Sequence, residues 1–272
     1  MRNTLRLPPA DGVSAGATAT LKLTGPRCYH AVTVQTNFAF AGITAVRVVA
    51  NSKTVQEYTG EALNVINKFD ALQGTDDSFF TVWFDQVGLK QRALEELTAF
   101  NVGSLDPNKG TILNSLELHI DIAASVESPK ILNAWAEVSQ VKSGGPGALR
   151  TLYRIPGTTG VSGRWDFDKL PKKTMASQFL NRAFIKASNI TEIELQRDTV
   201  TIWERTAALN ARIQGDSERV PQEGWFVIDF TENGYGENKL DCRAATDLRL
   251  KVTSSAAETV EIFAEYIGEL ER

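Results

Sequence analysis

The sequence predicts an all-β protein built from two tandem eight-stranded jelly rolls with short helical insertions. Three observations predict this fold class. Apolar residues recur mostly with a period of two, helical periodicity is confined to short segments, and the two halves of the chain carry similar motifs in the same order. Eight strands arranged in two sheets with Greek-key connections form a jelly roll.

Alternation of apolar and polar residues indicates the strands. The segment SLELHIDI, 115–122, alternates along its whole length, and DLRLKV, 247–252, repeats the pattern. Such alternation is typical of antiparallel strands with one buried face. Clusters of Gly, Pro, Asn and Asp separate these runs and indicate turns.

Helical signals are few. Residues 60–73, GEALNVINKFDALQ, place apolar side chains near a 3.6-residue period, and residues 206–214 do so over a shorter length. Residues 92–100 predict a further turn or two of helix. These segments are too short to form a helical layer, so the helices are expected to be insertions between strands.

A duplication organises the chain. The segment ITAVRVVANSKTVQEYTGEALN, 43–64, aligns with ITEIELQRDTVTIWERTAALN, 190–210, at an offset of 147. Up to Thr59 and Thr206 the alignment needs no gap, and one extra residue in the first copy then brings Asn64 onto Asn210. Asn51 and Asp198 coincide where a turn is expected.

Further blocks continue the same order. FFTVWF, 79–84, matches WFVIDF, 225–230, and AWAEV, 134–138, matches FAEYI, 263–267. A repeat of this length is too long for a solenoid or a propeller blade and has the size of a domain. We therefore predict an N-terminal jelly roll over 1–145 and a C-terminal one over 146–272, joined within the glycine-rich stretch 143–163.

Composition excludes several classes of function. The formal net charge of −4 gives no field that favours nucleic acid or an anionic membrane, so direct nucleic-acid binding is not expected. Two cysteines, one in each half, support neither a disulfide framework nor a zinc site. No run approaches the roughly 20 apolar residues of a membrane span, and the N-terminus lacks the apolar core of a secretory signal.

Phrases in both halves resemble a known family. In the second half these are FIKASNITEIELQRDTVTIWERTAALN, RVPQEGWFVIDFTENGYGEN and DLRLKVTSSAAETVEIFAEYIGEL; in the first half they are YHAV, ITAVRVVANSKTVQEYTG and LNVINKFD. They are similar to the major coat protein of corticovirus-type phages and related prophages, over about residues 13 to 270.

The resemblance implies a viral major capsid protein of the double jelly-roll lineage. It implies trimers of pseudo-hexagonal outline that tile an icosahedral shell around an internal lipid membrane. The expected partners are two further copies, neighbouring trimers, and the vertex (penton) and membrane proteins of the virion. The expected location is the virion, assembled in the host cytoplasm. The resemblance also implies an association with Ca²⁺, without a ligand motif to transfer.

Catalytic motifs are poorly represented, and we do not expect an enzyme. The chain has two histidines, His30 and His119, both within strand-like runs, and carries no nucleophile elbow, zinc-protease motif or phosphate loop. Asp166 and Asp168 could flank a glycosidic bond. Two acidic residues on the solvated face of one strand are the simpler interpretation.

The loop DFTENGYGENKLD, 229–241, is the candidate metal site. Asp229, Glu232 and Asn233 offer the oxygen ligands that Ca²⁺ prefers, although their spacing is not that of an EF-hand. Turn chemistry alone also explains the Asn-Gly pair in this loop. Calcium is therefore the only cofactor that the sequence suggests.

Two alternatives remain open from the sequence. A tandem β-sandwich carbohydrate-binding module would use exposed tryptophans such as Trp165, although core or interface roles are more natural for most of them. The N-terminal arm, with Arg2 and Arg6, could contact lipid headgroups or a neighbouring subunit, and a disordered terminus fits equally well.

Overall fold

A computed structural model describes residues 1–72, 74, 76–159, 162–215 and 218–270. Three helices are present in these residues: α1 (Gly60–Phe69), α2 (Arg92–Glu95) and α3 (Ala207–Gln214). Short 3-10 helices cover Phe40–Gly42, Glu96–Thr98 and Gly236–Asn238. The strands are β1 (Asn3–Arg6), β2 (Thr18–Leu23), β3 (Arg27–Thr36), β4 (Ile43–Ala50), β5 (Lys53–Tyr58), β6 (Phe79–Trp83), β7 (Phe100–Val102), β8 (Leu105–Asp106), β9 (Thr111–Ile112), β10 (Leu116–Ile122), β11 (Ile131–Gln140), β12 (Ala148–Thr159), β13 (Gly163–Phe167), β14 (Phe179–Lys186), β15 (Ile190–Arg197), β16 (Val200–Thr206), β17 (Trp225–Asp229), β18 (Leu240–Asp241), β19 (Leu248–Ser254) and β20 (Glu258–Glu269).

The strands form two lobes with the same pairing order. In the first lobe the sheets are β1–β11–β3–β6 and β2–β10–β4–β5; in the second they are β12–β20–β14–β17 and β13–β19–β15–β16. All pairs within a lobe are antiparallel. A short extra strand, β7 or β18, joins the third strand of each lobe. The predicted pair of eight-stranded jelly rolls is therefore confirmed.

The registers also agree with the sequence alignment. In the first sheet of the first lobe, Ala136, Val32 and Val82 are paired directly across neighbouring strands. The equivalent residues Ala264, Ala183 and Ile228 are paired in the same way in the second lobe. The row across the second sheet consists of Ile120–Val46–Tyr58 and of Val252–Ile193–Arg205. Because a slip of one residue would turn every side chain to the opposite face, the shared register means that equivalent positions face inward in both lobes, with a half-buried Arg205 where the first lobe has the core residue Tyr58.

Equivalent turns join the fourth and fifth strands of each lobe. Asn51 and Asp198 both have positive φ, at 48° and 51°, as the residue after each does. The Asn51 Oδ1 atom accepts hydrogen bonds from the backbone N–H groups of Asn114 and Ser115. The Asp198 Oδ1 atom accepts them from Thr246 and Asp247. Asn and Asp suit this place because they tolerate the left-handed region and bind nearby backbone.

Helices α1 and α3 begin with the same cap. The side chains of Thr59 and Thr206 accept hydrogen bonds from the backbone N–H groups of Ala62 and Leu209. The caps therefore place Ala62 opposite Leu209, and the predicted one-residue gap before Ala62 is wrong. Residues further along agree with this alignment: Asn67 donates to the Thr81 carbonyl, and Gln214 donates to the equivalent Val227 carbonyl.

The glycine-rich stretch 143–163, of which residues 160 and 161 lie outside the described part of the chain, is mostly not the irregular linker that its composition indicates. Strand β12 occupies residues 148–159 and pairs with β20 along its whole length. Pro156 is tolerated because this part of β12 lies at a sheet edge. A side chain at Gly157 would collide with the Phe167 ring, so glycine serves a close packing contact there. A domain boundary at 145/146 stays a prediction.

Each lobe is filled by its own apolar cluster, and the first cluster extends across the lobe boundary. It contains Phe184, Val227 and Phe263 of the second lobe together with the first-lobe core. Cys28 and Cys242 are both buried and free. Within the described ranges, no helix is long and apolar enough to span a membrane.

Candidate functional site

A buried cluster of six charged side chains joins the two lobes. Asp70, at the end of α1, belongs to the first lobe; the other members belong to the second lobe. All six residues are largely or fully inaccessible to solvent, and the formal charges balance. The members are Asp70, Arg150, Arg182, Arg219, Asp229 and Glu265.

Arg182 lies at the centre of this lobe-junction cluster. Its Nη1 atom lies 2.7 and 2.9 Å from the two carboxylate oxygens of Asp70, and its Nη2 atom lies 3.0 Å from Glu265 Oε2. Arg219 bonds both Asp70, at 3.2 Å, and Asp229, at 3.1 Å. A buried guanidinium needs such paired acceptors, because an uncompensated buried charge costs several kcal/mol.

The arginines keep Glu265 ionised inside the protein. Burial alone would raise the pKa of this carboxyl, but Arg182 and Arg150, with hydrogen bonds from Arg182 and Asn181, lower it to about 2. For Asp229 burial has the larger effect, and its pKa is raised even though Arg182 and Arg219 oppose the change. The buried carboxylates of the cluster therefore depend on all three arginines to stay ionised.

Apolar and backbone contacts complete the lobe junction. The ring of Phe69 in α1 packs edge-on against Phe184 of β14, with centroids 5.5 Å apart. Edge strands β5 and β12 pair in parallel at Gln56 and Leu152, and the Gln56 side chain donates to the Arg150 carbonyl at 2.8 Å. These contacts hold one lobe against the other at the junction.

The three predicted calcium ligands lie close in sequence but have separate partners. Asp229 accepts hydrogen bonds from Thr231 and Arg219. Both oxygens of Glu232 accept bonds from Arg205, at 2.6 and 2.9 Å. Asn233 is exposed and accepts a bond from the Tyr235 backbone.

A cation at this loop would have to displace an arginine. In the described part of the chain, no group of three or more His, Cys, Asp or Glu side chains is placed to hold a metal ion. Calcium binding through Asp229, Glu232 and Asn233 stays a prediction.

A Ser–His–Asp contact occurs in the first lobe, which motif searches of the sequence missed. His30 Nε2 lies 2.8 Å from Ser139 Oγ, and His30 Nδ1 lies 3.0 Å from Asp85 Oδ2. The three residues are distant in sequence, and only the pairing of β3 with β11 brings the serine to the histidine. The order of partners matches that of a serine hydrolase.

The protonation of His30 opposes that chemistry. Burial would lower the pKa of His30, but hydrogen bonding to Asp85 raises it to about 9. A general base must be neutral near its working pH, and His30 is cationic at neutral pH. The contact therefore works as a structural ion pair, to which Arg2 adds a further bond to Asp85 at 2.6 Å.

The other sequence candidates lie apart from one another. Asp166 and Asp168 are exposed, and Asp166 forms an ion pair with Arg249 at 3.4 Å. Trp165 lies in β13 and is only partly exposed. His119 lies on β10 and contacts Glu117 at 2.9 Å.

The N-terminal arm is an ordered strand. Residues 3–6 form β1 and pair with Ala136 and its neighbours in β11, so the disordered alternative is wrong for this segment. Arg2 bonds Asp85 and Glu96 of its own lobe, and Arg6 bonds Asn133. The two arginines thus have protein partners within this chain.

Comparison with known proteins gives a consistent result. A family model described as the viral coat protein P2 N-terminal domain matches residues 4–139, and one described as the viral coat protein P2 C-terminal domain matches residues 149–270. No curated protein sequence matches the chain.

Solved structures share the whole fold. The major capsid protein P2 from bacteriophage PM2 superimposes with a TM-score of 0.89 at 22% identity, covering 100% of this chain and 99% of that one. The major capsid protein of STIV (Sulfolobus Turreted Icosahedral Virus) gives a TM-score of 0.67 at 13% identity, covering 98% and 97%. A capsid chain of PBCV-1 virus gives 0.68 at 7% identity, covering 98% and 93%.

Proposed function

The chain belongs to the viral coat protein P2 family, whose two domains it contains in order, and from that premise we propose that three copies form one pseudo-hexagonal building block of the capsid. The family makes this a structural capsid protein that resides in the virion. The same matches give no support to the carbohydrate-binding alternative.

The observation that carries the proposed trimer is the shared strand pairing of the two lobes. Two lobes with one topology, repeated three times around an axis, present six similar faces, which suit a hexagonal lattice. The buried cluster around Arg182 supports this use of the chain, because a lattice needs a fixed angle between the lobes. Duplication also leaves the two lobes free to form different neighbour contacts.

Further partners follow from the family resemblance. We propose that neighbouring trimers tile an icosahedral shell around an internal membrane, with vertex and membrane proteins as additional partners, and that assembly takes place in the host cytoplasm. Contact of the N-terminal arm with that membrane belongs to this proposal, although Arg2 and Arg6 already bond residues of this chain. We also propose that the protein has no catalytic role, which the cationic state of His30 supports.

The test uses the purified full chain. Sedimentation at micromolar concentration should give the mass of three copies, and electron microscopy of assembled material should reveal hexagonal tiles. Lipid extraction of intact particles should recover phospholipid. A stable monomer together with particles that lack hexagonal order would contradict the proposed trimer.

A further inference from the structure

Helices α1 and α3 are equivalent, yet only α1 is buried on both sides. Their inward positions match, since Asn67 and Gln214 bond equivalent carbonyls in their own lobes. On the outward face, Ala62 and Ile66 are 0% and 5% exposed, whereas their equivalents Leu209 and Ile213 are 49% and 38% exposed. Helix α3 therefore presents an apolar face that is covered at the corresponding place in α1.

The cover of α1 is a sheet face of the second lobe. Phe184 of β14 packs on Phe69, and Lys186 of β14 forms an ion pair with Glu61. The outward row of that sheet consists of Phe263, Phe184 and Val227, which are buried in the first-lobe cluster. Inside one chain, then, the outer face of a β12–β20–β14–β17 sheet covers a helix.

The first lobe presents the equivalent sheet face without a cover from the described residues of this chain. The equivalent outward row consists of Trp135, Thr33 and Thr81, all only half-buried. An aromatic pair is kept at the same place: Phe79 and Trp135 have ring centroids 6.3 Å apart, and Trp225 and Phe263 have centroids 5.9 Å apart.

The edge strands show the same difference. Thr151 and Leu152 of β12 are buried at the lobe junction, whereas Asn3 and Thr4, at the equivalent places in β1, are exposed. These equivalences follow from the shared register of β1 with β11 and of β12 with β20.

We infer that the outer face of the β1–β11–β3–β6 sheet of one copy covers helix α3 and strand β16 of the next copy, repeating between copies the contact that joins the two lobes inside one chain. The inference rests on the proposed trimer and names its contact surfaces. The two surfaces lie on different lobes, so the contact is heterologous. Such a contact produces a closed ring only if the rotation that relates one copy to the next brings the last copy back to the first. Six similar lobe contacts, three within chains and three between them, satisfy that condition.

The contact between copies differs from the internal one in charge. Inside the chain, Lys186 forms an ion pair with Glu61. The strand registers place Gln35 at the position equivalent to Lys186, and the helix caps place Ala208 at the position equivalent to Glu61. The contact between copies therefore relies on apolar and aromatic side chains such as Leu209, Ile213 and Trp135. It lacks an equivalent of that charged pair.

The proposed contact is tested by chemical cross-linking of Gln35 and Ala208, the residues equivalent to the ion pair Lys186–Glu61. The double variant Gln35→Cys/Ala208→Cys in the full chain is treated with a short bismaleimide, because a Lys–Glu pair spans more than a disulfide can. Cys28 and Cys242 are 1% and 0% exposed and should not react. We expect covalent dimers and trimers on a denaturing gel, whereas Leu105→Cys/Ala208→Cys, with a residue on β8 instead, should stay monomeric.

A second experiment uses a variant that disrupts the same surface. Ile213→Glu should weaken trimer formation roughly tenfold or more, as charging a buried contact does. Leu105→Glu, at another exposed leucine, should leave it unchanged, and unaltered melting temperatures show that both variants fold. A trimer that forms normally in Ile213→Glu, or that gives no Gln35/Ala208 cross-link, overturns the named surfaces but keeps the proposed function. A chain that never forms trimers overturns both.

Discussion

Arg2 of the first lobe, which immediately precedes β1, and Arg150 of β12 in the second lobe occupy equivalent positions. Arg2 lies 3.7 Å from Glu137, and Arg150 lies 3.6 Å from Glu265. The two glutamates are themselves equivalent, in the Ala-Glu pair that both halves contain. Yet Glu137 is 43% exposed in its side chain and Glu265 is 1% exposed, because only the second pair lies at the lobe junction.

The two glutamates form a matched pair for mutation. We expect Glu265→Gln to lower the free energy of unfolding by about 3–5 kcal/mol, because it leaves Arg182 and Arg150 partly uncompensated in a buried site. Glu137→Gln should cost no more than about 1 kcal/mol, since an exposed ion pair contributes little. Urea unfolding of both variants measures the difference. Equal losses would show that the buried cluster does not stabilise the lobe junction.

His30 should make the stability of the protein depend on pH. Its pKa lies near 9 in the folded protein and near 6.5 in the unfolded chain, so the folded state binds the proton more tightly. The stabilisation is fully present below pH 6.5 and is lost as the pH rises through 9. At about 1.4 kcal/mol per pH unit, it amounts to about 3 kcal/mol.

Chemical unfolding across pH 6 to 10 checks this dependence. His30→Gln should be less stable at pH 6 and should lose most of the slope between pH 6.5 and 9. His119→Gln, at the partly exposed histidine, is the control and should keep the slope. A wild-type protein whose stability does not change over this interval would contradict the assigned ion pair with Asp85.

The helix caps should contribute similarly in both lobes. Thr59→Ala and Thr206→Ala each remove a side-chain acceptor from a helix N-terminus and should each cost about 0.5–2 kcal/mol. Thr59→Ser and Thr206→Ser keep the hydroxyl and should restore most of that loss. Thermal unfolding measures the four variants. Alanine variants as stable as wild type would argue against the caps.

Calcium at the loop after β17 is tested by binding and by melting. Millimolar Ca²⁺ should raise the melting temperature of the wild-type protein, and Glu232→Gln should abolish the rise. Weak affinity is expected, because the cation must compete with Arg205 for both oxygens of Glu232. If titration calorimetry detects no binding heat at millimolar Ca²⁺, the predicted calcium site is wrong.

Local patterns predicted much of the fold. Period-two alternation located strands such as β10 and β19, and the 3.6-residue period located helices α1 and α3. The predicted linker shows the limit of such reasoning. Its glycines and two prolines indicate a loop, but a long partner strand supplies the hydrogen bonds that make residues 148–159 a strand.

By itself the sequence determined the duplication, the jelly-roll class and the buried face of strands such as β10 and β19, because alternation and turn residues are properties of neighbouring positions. Only the tertiary structure decided which equivalent surfaces are buried. Leu209 and Ala62 hold the same place after a helix cap, but Ala62 is buried and Leu209 is 49% exposed. Burial of a side chain, and hence the pairing of Arg182 with Asp70 or of His30 with Asp85, depends on strands distant in sequence that only folding brings together.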